Sequence, residues 1–140
     1  TNFAYGSVHR NTYLNAPRCL LPTLELRRRP GCWIAGQIAG VEGSVESAAL
    51  GGLAGIFAAC AALGEPPPRP DPATAHGALL HYLGAADPRH FQPMNINFGL
   101  FPPLADAPLK LRKPEKYARL SARALEALQP FASRTQPPCA

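Results

Sequence analysis

The sequence predicts an α/β fold, and two neighbouring features carry that expectation. Cys32-Trp33-Ile34-Ala35 is a short apolar run that reads as a buried strand of a parallel sheet. GQIAGVEGSVESA, Gly36 to Ala48, follows as a glycine-rich turn opening a helix over about Val41 to Leu63. Strand, turn and helix N-terminus in that order make a corner suited to an anion or an electron-rich ring edge. Glycines allow close backbone approach. The free N–H groups of the first helical turn point outward, with the positive end of the helix dipole behind them. A tight strand-to-helix turn without a ligand would have the same pattern.

The long helix shows a face of Val45, Ala49, Leu53, Ile56, Cys60 and Leu63, spaced three or four apart. Beyond Ser47 no polar side chain appears until Glu65, which predicts burial on most sides. Gly51, Gly52 and Gly55 each cost about 0.5–1 kcal/mol relative to Ala in a helix, and packing against a sheet would justify them. Ala48 to Gly64 is at the short end of membrane-spanning length and rich in Ala and Gly, so a core helix is the preferred reading. Gly64 and Glu65-Pro66-Pro67-Pro68 end the helix.

Before it, Thr12 to Leu14 has β character, Pro17 and Pro22 bracket a connection, and Leu24-Glu25-Leu26 alternates like a short strand. Arg27 to Gly31 is a turn. After it, a second helix is expected from Asp71-Pro72 through Ala78-Leu79-Leu80 to Gly84. Asp87 to His90 is a turn, and Phe91 to Pro103 reads as an ordered loop laid over the core. Within it, Asn95 and Asn97 alternate with apolar residues, either orienting a ligand or satisfying loop backbone. The last helix is expected over Pro114 to Phe131, with an apolar stripe of Tyr117, Leu120, Ala124, Leu128 and Phe131 and with Pro130 at its end. Ser133 to Ala140 reads as a loose tail. The pattern divides into residues 1–64, strands and long helix, and residues 65–140, a helical extension packing on them.

With 140 residues, 46% of them apolar, the chain can form one domain with a core and is not a disordered tail. Its start at Thr1-Asn2-Phe3 shows no targeting signal and reads as a piece of something longer. Cys19, Cys32, Cys60 and Cys139 are scattered, which argues for reduced thiols over a disulfide framework or zinc site. His76, His81 and His90 have no metal-ligand spacing. The net charge of +5 resides in residues 110–134, where seven cations face two carboxylates. Such an end suits a polyanion such as RNA, and is equally compatible with a solvated helix face.

Several segments resemble one family. They are His9-Arg10-Asn11-Thr12-Tyr13; Gly36-Gln37-Ile38 with Gly40-Val41-Glu42-Gly43 and Glu46-Ser47-Ala48; Thr74 with Gly77-Ala78-Leu79-Leu80; and Phe91-Gln92-Pro93-Met94-Asn95-Ile96-Asn97-Phe98-Gly99-Leu100-Phe101-Pro102-Pro103-Leu104. Together the chain is similar to the C-terminal part of the folate- and FAD-dependent tRNA uracil-54 C5-methyltransferases, from about residue 5 to residue 131. The glycine corner is shared with the GidA-type flavoprotein that modifies the tRNA wobble uridine. The His9 to Tyr13 and Phe91 to Leu104 segments resemble the methyltransferase branch alone. Ser44 departs from the pattern, standing where the family usually has Tyr. The family's GxGxxG fingerprint and its catalytic cysteines have no counterpart here.

The resemblance implies the C-terminal portion of an FAD/NAD(P)-binding Rossmann-like domain followed by C-terminal helices. It implies that Gly36, Gln37, Gly40, Val41 and Gly43 meet the ribityl chain and pyrimidine edge of FAD. His9 would stack on the folate pterin and Arg10 would hold a carboxylate or phosphate, against the plainer readings of a structural His and a surface ion pair. Lys113, Lys116, Arg119 and Arg123 are the candidate tRNA contacts. Methylenetetrahydrofolate and NAD(P)H would be co-substrates, and the tRNA T-loop and the N-terminal half of the enzyme the partners, in the cytoplasm and away from membranes. No catalytic or metal-binding residue is assigned to this chain, which is expected to be inactive alone. A fragment of the wobble-uridine enzyme or a non-catalytic remnant are the alternatives.

Overall fold

The computed structural model describes residues 12–105 and 111–135. Four helices dominate these residues: α1 (Ala16–Cys19), α2 (Ser44–Leu63), α3 (Ala75–Ala85) and α4 (Lys113–Thr135), with a 3-10 turn at Gly36–Ala39 before α2. One apolar cluster joins Leu20, Leu24, Ala39, Val41, Leu50, Leu53, Phe57, Leu83 and Phe91, with Trp33, Leu80, Tyr82 and Phe131 packed around it. The 3-10 turn packs on α2, and α1 on α3.

The expected short strands do not form as a sheet among the described residues. Leu20 pairs with Leu26 and Glu25 with Trp33 as isolated antiparallel bridges, and Val41 pairs with Met94 as an isolated parallel one. Leu24 explains part of this: its φ of 64° puts a buried side chain on a left-handed backbone, so an extended strand cannot run through Leu24-Glu25-Leu26. Cys32 to Ala35 therefore has an antiparallel partner in place of the expected parallel one.

The helices are nearer to expectation, with shifted boundaries. α2 begins three residues later than expected because Gly40 and Gly43 take φ of 88° and 90°, which a continuous right-handed helix cannot contain. α3 begins after Thr74, not at Asp71. The Thr74 hydroxyl accepts the Gly77 N–H at 3.0 Å and donates to the Asp71 carbonyl at 2.6 Å. Asp71 instead closes a local turn, accepting the Ala73 N–H at 2.7 Å. α4 runs through Pro130 to Thr135, so that proline does not end the helix. Its ring sits in the last two turns, where only the Glu126 carbonyl loses its helical donor.

The burial of α2 is a further correction. Leu50, Leu53, Ala54 and Phe57 face the core, whereas Val45 is 80% and Leu63 72% exposed. Nothing lies within 4 Å of where a Cβ on Gly51, Gly52 or Gly55 would project. The helix is long and apolar enough to cross a membrane, yet only 22% of its most apolar stretch is buried. Its second, small-residue face is bare among the described residues.

Among the described residues, two ionisable groups depart from their ordinary values. Asp87 is held down to about 2 by Arg89, through its guanidinium and backbone N–H, and by His90. Burial pushes the His76 imidazole below 6.5, and its Nδ1 is buried without a partner. The fold thus prefers the neutral ring. The stability His76 provides is complete above about pH 6.5 and is lost as pH falls below that value. The melting temperature should therefore drop between about pH 7 and 5, and His76→Gln should lessen that drop. Identical pH profiles for the two chains would contradict this assignment.

Candidate functional site

The corner is built from three backbone reversals. Gly36 (φ 73°) starts the 3-10 turn, Gly40 (φ 88°) ends it, and Gly43 (φ 90°) caps α2. Such angles favour glycine because a Cβ would strike the backbone. The turn is closed by Gly40 N–H donating to the Gln37 carbonyl at 2.9 Å and by Val41 N–H donating to the Gly36 carbonyl at 3.3 Å. Val41 is fully buried, and Gln37 and Ile38 are exposed.

Much of the close approach that these glycines permit is made by the chain itself. A Cβ on Gly40 would overlap the Phe91 ring, and one on Gly43 would overlap the Glu46 carboxylate and lie 2.8 Å from Asn95 Nδ2. Next to Gly36, the Ser47 hydroxyl is buried without a partner. The open side is the helix N-terminus. Gly43 offers no side-chain cap, and the N–H groups of Ser44, Val45 and Glu46 have no acceptor among the described residues. Ser44 and Val45 are exposed. None of the four main cavities is lined by residues 36–43.

The corner thus presents outward N–H groups and the unpartnered Ser47 hydroxyl, donors of the kind an electron-rich ring edge would accept. It supplies no opposite wall. Glu46 already places a carboxylate in this first turn, with Asn95 Nδ2 at 3.5 Å from its Oε1. His9 and Arg10 lie outside the described residues.

The segment 91–103 connects this corner to the basic helix. Met94 N–H donates to the Gly40 carbonyl at 3.2 Å, and Glu42 N–H to the Met94 carbonyl at 3.1 Å. Phe91 anchors the start of the segment beneath Tyr82, with ring centroids 5.6 Å apart. Asn97 serves the loop itself: its Oδ1 accepts the Gly99 N–H at 2.9 Å and its Nδ2 donates to the Asn95 carbonyl at 3.1 Å. Farther along, Phe98 stacks on Tyr117 of α4 with centroids 4.4 Å apart and a 14° interplanar angle.

The four cations proposed for RNA do not behave alike. Lys113 and Lys116 are exposed and have no ion-pair partner among the described residues. Arg119 is exposed but bonded to Glu115 at 3.0 Å, one turn back. Arg123 is half-buried, and its guanidinium donates to the carbonyls of Pro102 and Pro103 at 2.5 and 2.9 Å. It pins the loop to α4 and is not poised for a phosphate.

Sequence reasoning missed a cavity of about 780 Å³ between this loop and α4, lined in part by Ile96, Phe98, Phe101, Tyr117, Ser121 and Leu125. The available signal was Tyr117 together with Phe98-Gly99-Leu100-Phe101, aromatic residues in an otherwise aromatic-poor chain.

Comparison with known proteins gives these features a context. Residues 2–66 match the family model described as glucose inhibited division protein A. The chain is 56% identical over 124 residues to the methylenetetrahydrofolate–tRNA-(uracil-5-)-methyltransferase TrmFO of Desulforudis audaxviator, covering 89% of this chain and 28% of that protein. It is 52% identical over 134 residues to the enzyme of the same name from Pelobacter propionicus, covering 95% of this chain and 29% of that protein. The Pelotomaculum thermopropionicum enzyme is 52% identical over 127 residues, or 91% of this chain and 29% of its own length. The chain thus spans less than a third of the curated relatives it matches. Its first half is thus similar to the glucose inhibited division protein A family model, and nine-tenths of its length is similar to one segment of the methylenetetrahydrofolate–tRNA-(uracil-5-)-methyltransferases.

Proposed function

We propose that the chain supplies part of an FAD-dependent tRNA methyltransferase that forms 5-methyluridine at position 54. The observation that carries this reading is identity above 50% across almost the whole chain to proteins named as methylenetetrahydrofolate-dependent tRNA uracil-5 methyltransferases. FAD, when bound and reduced, would mediate transfer and reduction of the one-carbon unit of methylenetetrahydrofolate onto uridine C5, with NAD(P)H as the source of electrons. The role of this chain is positional. The N–H groups of Ser44, Val45 and Glu46, backed by the α2 dipole, would stabilise negative charge on the facing flavin edge. Gly36, Gln37, Gly40, Val41 and Gly43 hold that turn in shape. His9 and Arg10 are proposed for folate, and Lys113 and Lys116, with Arg119 in a lesser role, for the tRNA T-loop. The intact enzyme would work in the cytoplasm.

Two features agree with a partial assembly. The bare face of α2, rich in Ala and Gly, offers close packing to the remainder of a larger enzyme. The one-sided corner needs the first βα turn of a dinucleotide fold to hold a pyrophosphate. The purified 140-residue chain is therefore expected to bind FAD weakly and to leave tRNA unmethylated. Absorbance near 450 nm after desalting checks the first expectation. Stoichiometric flavin in the isolated chain would overturn the partial-site reading. Methylation restored at uridine 54 when the chain is joined to the remaining portion of a close relative would support the function. Modification at the wobble uridine would instead favour the glucose inhibited division protein A branch.

A further inference from the structure

The cavity between the 96–101 loop and α4 is separate from the glycine corner, and nothing above assigns it a ligand. Its volume of about 780 Å³ lies within the range of small-molecule sites. Its walls are mostly apolar and carry three aromatic rings. Phe98 lies between Phe101, with centroids 5.6 Å apart, and Tyr117, at 4.4 Å. Tyr117 keeps 39% of its surface exposed, so part of the ring remains available to a planar guest. The Ser121 hydroxyl, one turn after Tyr117, is a second polar group on the helix side beside the Tyr117 phenol, and it has no side-chain hydrogen bond among the described residues.

No cation lines the cavity, but the α4 residues just before Tyr117 are basic, and that charge argues for the class of guest. Lys113 lies one turn before Tyr117 on the same helical face, and Lys116 is its neighbour. Arg112, Lys113 and Lys116 cluster where α4 begins, an arrangement the helix dipole disfavours. The carboxylate in that first turn, Glu115, is already committed to Arg119. An apolar peptide would leave these cations unused. A planar ring joined to a phosphodiester uses both the aromatic wall and the cations, as in stacking sites for single-stranded nucleic acid.

We propose that this cavity receives an unpaired base of the RNA substrate, stacked against the exposed part of the Tyr117 ring, with the adjoining phosphates on Lys113 and Lys116. The inference rests on the reading of tRNA as the partner and adds a subsite to it. Arg123 is the positioning residue: by tying Pro102 and Pro103 to α4 it holds the aromatic loop in place.

The test uses the 140-residue chain with an unmodified tRNA transcript and a short oligouridylate, measured by fluorescence anisotropy over a salt series. Tyr117→Ala should weaken binding on the order of tenfold while leaving the salt slope unchanged, and Tyr117→Phe should restore it. Lys113→Gln and Lys116→Gln should each lower the salt slope by about one. Circular dichroism on each variant establishes that it is folded. Independently, thiouridine-substituted RNA should photocrosslink to peptides containing Tyr117 or Phe98 to Phe101. Salt-dependent binding by the parent chain that is indifferent to Tyr117→Ala, with crosslinks mapping elsewhere, would overturn the base site alone and leave the RNA reading intact. No RNA binding even at low salt would overturn both.

Discussion

Gly40→Ala is expected to destabilise the chain by roughly 2–4 kcal/mol, combining backbone strain with overpacking. Two costs fall on the same atom. The backbone sits at φ 88°, where a Cβ is strained whatever the space around it. The Cβ would also enter the Phe91 ring, with Cε1 only 2.7 Å away. Phe91 cannot easily withdraw. It is 6% exposed, its ring contacts Tyr82, and it meets Tyr13 edge-on at 6.2 Å. Urea unfolding followed by circular dichroism measures the loss. A midpoint equal to that of the parent chain would show that the turn can relax.

The converse truncation, Phe91→Ala, should cost about 3–5 kcal/mol, the range for removing a buried aromatic ring. It also frees the start of the segment that pairs Met94 with Gly40 and Glu42. The two substitutions should be strongly non-additive. With the ring gone, Gly40→Ala keeps its backbone strain and loses its steric clash. The double variant should then be more stable than the sum of the singles by about 1–3 kcal/mol. Simple additivity would mean that the Gly40–Phe91 contact is not what holds the corner to the loop.

These outcomes bear on which parts of the molecule the sequence could reveal. The existence of α2, α3 and α4 was legible because helical periodicity, capping residues and proline punctuation are local signals. Their faces and ends were less so. α2 is apolar almost all round, so its sequence hardly distinguishes one side from another. The contacts of the 3-10 turn and the core cluster select Leu50, Leu53, Ala54 and Phe57 over Val45 and Leu63. The expected strands form only isolated bridges for a different reason: Leu24 takes a left-handed backbone, φ 64°, which an alternating apolar pattern does not announce. Likewise, the sequence shows that Arg123 is cationic, but not that two proline carbonyls await its guanidinium.

By itself the sequence determined the similarity to one segment of known methyltransferases, the three glycines that permit left-handed turns, and the concentration of positive charge in α4. Each depends on residue identity at a few nearby positions. Only the tertiary structure decided that those glycines are pressed by the chain's own Phe91, Glu46 and Ser47, and that one loop couples the corner to an aromatic cavity beside the basic helix. The reason is that van der Waals exclusion and hydrogen-bond geometry act between residues close in space, and α2 and α3 separate the glycine corner from Phe91 and the aromatic loop along the chain.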